Sequence, residues 1–170
     1  MSNQLDFILQ QAIVSIDGFG KAGTAETCTL PKIKKHLEKY RGGGMVAPRQ
    51  HALGYEELEF GCELSAVDPQ VIGQSGLLVS KGVPFSVMAY LDGDNGAAHT
   101  AYVYMRGEVV ENDFGKWEAG KKATMSIKVA LLACSMTIDG AVIFDIDIEN
   151  GVNVFNGTDV AALVSAAIGR

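Results

Sequence analysis

Thr124–Ile148, TMSIKVALLACSMTIDGAVIFDIDI, is the stretch whose reading decides the fold. Thr124 to Ile138 is a long β-compatible run, Asp139-Gly140 is a dipeptide that tolerates positive φ, and Val142 to Ile148 alternates. The stretch predicts a hairpin. In its second strand Asp145 and Asp147, with Glu149 beyond them, fall on one face, while Ile143, Phe144, Ile146 and Ile148 supply the buried side. Such acids fit a solvated strand face, a cation or acid–base pair, or an acidic wall. The third arises if a ring of subunits closes a large barrel whose lumen repels polyanions.

Working outward, the same signals recur. Val83–Leu91 and Ala101–Val110 flank Asp92-Gly93-Asp94-Asn95-Gly96 and predict another hairpin. In Tyr55–Leu64, Leu58, Phe60, Cys62 and Leu64 occupy alternate positions, with Glu57, Glu59 and Glu63 on the opposite face of a half-buried strand. Asp68-Pro69 opens a short helix with Asp68 as N-cap. Ala12–Asp17, the turn at Gly18-Phe19-Gly20 and a strand near Ala25–Leu30 suggest an opening hairpin. Asn156-Gly157-Thr158-Asp159 precedes VAALVSAAI, a helix ended by Gly169. The expected class is mainly β: a small barrel or sandwich with a short helix and a C-terminal helix, in one domain spanning 1–170.

One segment stands apart. Between Lys32 and Arg49 lie Lys32, Lys34, Lys35, Lys39, Arg41 and Arg49 against a single acid, Glu38, in a chain of net charge -6. Gly42, Gly43 and Gly44 follow Tyr40 and Arg41, and such a run loses much conformational entropy on ordering. The segment from about 29 to 50 reads as a flexible tether or as an arm that orders on a partner. Ile33, Leu37 and Tyr40 have helix-like spacing, yet an extended hairpin fits as well.

Composition narrows the function classes. The acidic balance argues against a general nucleic-acid binder. No apolar run reaches the roughly 18–20 residues that span a bilayer, and MSNQLDFILQQ lacks the basic start of a signal peptide, so a soluble chain is expected. Cys28, Cys62 and Cys134 read as buried free thiols. His36, His51 and His99 show no zinc-ligand spacing. Asp92 to Val103 fails as a calcium loop, since Ala97 stands where glycine and Val103 where glutamate is needed. The glycine run lacks the Lys-Ser/Thr of a phosphate loop, and no serine occupies a nucleophile elbow. Neither an enzyme nor a cofactor is expected. A ligand-binding β-domain would rely on Trp117 as its aromatic platform.

Motifs along nearly the whole chain resemble the major tail tube proteins of contractile-tailed bacteriophages, with which R-type pyocin tubes are grouped. They are Thr29-Leu30-Pro31-Lys32, Glu38-Lys39-Tyr40-Arg41-Gly42-Gly43-Gly44-Met45, Leu53-Gly54, Asp68-Pro69-Gln70, Met105-Arg106-Gly107, Asp113-Phe114-Gly115 with Trp117, Asn156-Gly157-Thr158-Asp159 and Ala167-Ile168-Gly169. The resemblance implies a structural subunit. Hexameric rings would stack into a rigid tube inside a sheath, penetrate the envelope and conduct DNA without binding it specifically. It further implies a virion location after assembly in the host cytoplasm. The implied partners are the sheath protein, baseplate hub, tape measure and tail terminator. A pyocin-type injection particle is the alternative setting, and type VI secretion tubes are similar in architecture. The resemblance favours the extended form of the arm. Charge then suggests that Lys32, Lys34, Lys35, Lys39, Tyr40, Arg41, Gly42, Gly43, Gly44 and Met45 meet Glu56, Glu57, Glu59 and Glu63 of a neighbour, with Asp145 and Asp147 toward the lumen.

Overall fold

Residues 7–21, 24–76, 82–93, 96–162 and 166 are described by a computed structural model. In chain order the elements are β1 (Phe7–Ile16), β2 (Phe19–Gly20), β3 (Ala25–Thr29), β4 (Lys35–Tyr40), β5 (Arg49–Tyr55), β6 (Glu59–Leu64) and α1 (Pro69–Gly73). They continue with β7 (Val83–Gly93), β8 (Ala98–Asp113), β9 (Met125–Ile138), β10 (Ala141–Asp147), β11 (Val152–Phe155) and β12 (Thr158–Asp159). The deciding hairpin is β9–β10, where Asp139 (φ 50°) and Gly140 (φ 80°) turn the chain and Ala141 faces Ile138. Positive φ at both turn residues matches the twist of the strands they join. The β7–β8 hairpin forms as read, and Asp68 caps α1 by accepting from the Gln70 amide at 2.9 Å. Residues 160–162 and 166 are helical, and the rest of the expected C-terminal helix lies outside the described residues.

All pairs are antiparallel, in a ten-stranded sheet ordered β12-β11-β10-β9-β8-β7-β1-β2, with β3 and β6 branching from β9. The fork lies within β9: Met125–Ala130 pairs with β6, while Ala133–Ile138 pairs with β10. Alternation then selects the core. Leu58, Phe60, Cys62 and Leu64 are all buried, beside Phe85, Val103, Met105, Val129 and Ile146. Burying side chains of this size stabilises by about 1.5–3 kcal/mol each.

Two expectations fail. The sheet bends enough for the Phe60 and Phe85 rings to meet at 5.8 Å, but it is open, so the described residues form no closed barrel. The short helix α1 packs on the core: Val71 enters it, and Lys21 donates to Asp68 and, at 3.1 Å, to Gln70. The second failure is the opening hairpin. β1 turns into the two-residue β2, whereas β3 pairs with β6, and β1 lies along β7. Alternation sets which face a strand buries, not which strand lies beside it.

Candidate functional site

The arm is extended, as the resemblance favours. β4 and β5 form a two-stranded sheet of their own, Lys39 facing Gln50 and Tyr40 facing Arg49. Gly54 (φ 122°) sits at the register shift opposite His36. Every residue from Lys35 to Gly54 in these strands is exposed, including Leu37 at 49% and Leu53 at 62%. An isolated two-stranded ribbon is marginally stable in water. At the tip, Met45 N donates to the Gly42 carbonyl at 3.3 Å and Gly42 N contacts Met45 Sδ at 3.2 Å. Within the glycine run only Gly44 has positive φ (85°), while a Cβ on Gly43 would meet open space.

The acids expected to receive a neighbour's arm are partly engaged within the chain. Lys34 pairs with Glu56 at 2.8 Å at the arm's root, and Glu56 N donates to the Lys34 carbonyl, also at 2.8 Å. Glu59 binds Lys128 at 2.9 Å and raises its pKa. Glu57 and Glu63 make no salt bridge among the described residues, and Lys32, Lys35, Lys39, Arg41 and Arg49 likewise have none. Sequence spacing hid the Lys34–Glu56 contact because it spans the whole arm.

Asp145 and Asp147 lie together on the sheet face turned away from the core, opposite to buried Ile146. The register places Asp145 in a row with Ser135, Tyr104 and Ser86, and Asp147 beside Ala133 and Arg106. Arg106 is the residue missed by reasoning about acids alone. Its guanidinium is 3.5 Å from Asp147 and 2.9 Å from Glu149. The amide of Asn150 holds the Asp147 carboxyl below its usual range, with Arg106 adding to the effect against a desolvation penalty. Of the expected apolar side, Ile146 is buried and Phe144 half-buried, but Ile143 and Ile148 are exposed, because a register shift at Val142/Phe144 and the end of β10 interrupt the alternation.

The strand edges complete the picture. Among the described residues, β1 from Phe7 to Ile13 has β7 on one side and no strand on the other. Phe7, Ile8, Leu9 and Ile13 are 40–59% exposed. Trp117 is exposed, its indole N–H donates to the Phe114 carbonyl at 2.9 Å, and it makes no ring contact with another aromatic among the described residues.

The description phage tail tube protein FII fits residues 6–169, an interval that takes in the arm, both hairpins and the open edge. The chain belongs to the phage tail tube protein FII family. Its relatives include the tail tube protein of Escherichia phage P2, 31% identical over 152 residues that cover 86% of this chain and 87% of the relative. This member of the tube family is a structural subunit of a contractile tail. Similar folds occur in an extracellular contractile injection system. The PVC sheath-tube complex gives a TM-score of 0.58 at 12% identity over 79% of this chain and 93% of its own. The PVC sheath/tube terminator gives 0.57 at 14% identity over 80% and 99%. The anti-feeding prophage baseplate, six-fold symmetrised, gives 0.51 at 13% identity over 74% and 90%. These matches bear on the fold of the tube protein.

Proposed function

We propose that this subunit assembles into hexameric rings that stack as the inner tube of a contractile tail, with 1–170 acting as one unit and residues 29–50 as its assembly arm. The observation that carries this reading is the open, apolar edge of β1, since a long unpaired edge is an aggregation site unless another strand covers it. Pairing between neighbours closes the sheets into one many-stranded wall. The exposed ribbon supplies the second contact: Lys35, Lys39, Arg41 and Arg49 meet Glu57 and Glu63 of an adjacent subunit. Each such ion pair contributes about 0–1 kcal/mol, and repetition around a ring multiplies it. Asp145 and Asp147 face the lumen, where acids repel a passing polyanion, and Arg106 tempers their charge.

In this reading the tube works by assembly geometry, carrying DNA through without gripping it and lying against a sheath outside. Terminator, tape measure and baseplate hub cap or measure it. The virion is its final location after assembly in the host cytoplasm. Negative-stain microscopy of the purified chain tests the reading. Hollow rings or tubes are expected, and replacing Ile8 and Leu9 with lysine should abolish them while the subunit stays folded. Unchanged tubes from that variant would overturn the role given to β1.

A further inference from the structure

We propose that Cys28 and Cys62 form a redox-controlled disulfide clamp at the root of the arm, an idea independent of how the tube is built. The two residues face each other directly in the β3–β6 register, on strands that lie at the two ends of the arm. Their Sγ atoms are 2.6 Å apart. That lies inside the roughly 3.5–4.0 Å at which even smaller non-bonded carbon atoms rest. Both thiols are free, so the pair is poised rather than already joined.

The environments of the two sulfurs are unequal. Cys28 is half-exposed and Cys62 is buried. Either sulfur can donate to the other, and the contact holds the Cys28 thiol below its ordinary value despite burial and pushes Cys62 up. Cys28 is thus the nucleophile that solvent reaches, and Cys62 the resolving thiol. Cys134 differs: it is buried and its thiol is pushed up to about 12 by burial and by the charge of Asp145.

The oxidant is a small disulfide such as oxidised glutathione. The Cys28 thiolate attacks one of its sulfurs, forming a mixed disulfide and expelling one glutathione thiolate. Cys62 then attacks Cys28 Sγ, the new S–S bond forms, and the second glutathione leaves. Two protons pass from the protein thiols to the two glutathione thiolates, and two electrons reduce the oxidant. The closed loop contains all of β4 and β5, so the bond fixes both ends of the arm together. A reducing cytoplasm keeps the clamp open, and an oxidising exterior closes it.

The full-length protein is incubated with oxidised glutathione, alkylated with iodoacetamide under denaturing conditions, digested with trypsin and analysed by mass spectrometry without reductant. The expected result is a peptide pair linking Cys28 to Cys62 that disappears on reduction, with Cys134 alkylated. A second measurement compares oxidised and reduced protein by thermal unfolding. The oxidised form should melt higher, and Cys28→Ser should remove that rise while Cys134→Ser retains it. Alkylated Cys28, a persistent glutathione adduct, a link between two chains, or a rise that survives in Cys28→Ser would each overturn the clamp.

Discussion

The β6–β9 region and the β4–β5 ribbon use the same antiparallel pairing, yet Phe60 and Val129 are fully buried while Leu37 and Leu53 stand in solvent. Hydrogen bonding alone does not distinguish them. What differs is a second layer: β6 shares a buried core with β7 and α1, whereas Lys35–Tyr40 and Arg49–Gly54 have no such cover among the described residues. The teaching is that alternation declares a face to be buried without saying by whom. Core strands answer within one chain, whereas the ribbon and the β1 edge keep apolar side chains such as Leu37, Leu53, Ile8 and Leu9 exposed.

The contrast is broken most severely from the core side. Phe60→Ala should cost about 3–5 kcal/mol in denaturant unfolding, because the ring fills a site with no access to water. Leu37→Ala on the ribbon should leave that curve unchanged while reducing tube yield, and a large loss of stability there would erase the distinction. Next comes Gly107 of β8, where an added Cβ would lie 2.4 Å from the Ala130 carbonyl oxygen and 2.9 Å from Val129 Cγ1. Gly107→Ala should destabilise by about 1–3 kcal/mol through overpacking, read as a lower urea midpoint. The glycine run offers its counterpart. Gly44→Ala strains a positive φ by about 1–2 kcal/mol, whereas Gly43→Ala should leave the subunit within about 0.5 kcal/mol of the parent. If Gly43→Ala also stops assembly in electron micrographs, a neighbour occupies that open space.

Charge gives the smaller effects. Reversing Lys34, Lys35 and Lys39 to Glu should block ring stacking with little change in subunit stability. Among the three single reversals, that of Lys34 should change tube yield least, since Glu56 already holds it. Normal tubes from the triple variant would remove electrostatic docking from the proposal. Acid should act mainly on the body of the sheet. Hydrogen bonding from His99 and the Thr100 amide depresses Asp139, and the Asn150 amide depresses Asp147. A depressed folded pKa adds stability above the unfolded value of about 3.9. That stability is lost as pH falls through the lower folded value. The melting temperature should therefore drop below about pH 4, and Asp139→Asn should flatten that dependence.

Much of this was legible in the chain. The turns at Asp139-Gly140 and between Leu91 and Ala98, the Asp68 cap and the Leu58–Leu64 alternation are local signals, and each appears where expected. The partners of β1 and β3 were not legible, since they depend on packing between distant segments. Nor was the openness of the sheet, because alternation along a strand reads the same in a closed barrel and in an open sheet. For the site, the charge cluster and glycine run located the ribbon, but Lys34–Glu56 and Arg106–Glu149 needed three dimensions.

The pairing of β3 with β6 carries one more consequence. The chain leaves the sheet at Thr29 and re-enters at Glu59, two residues before Gly61 comes to lie opposite Thr29, so everything between is an excursion from two neighbouring points. Doubling the length of such an insert costs only about 0.6 kcal/mol of loop-closure entropy. Ribbons of different reach can therefore be exchanged on an unchanged body while the core stays under constraint.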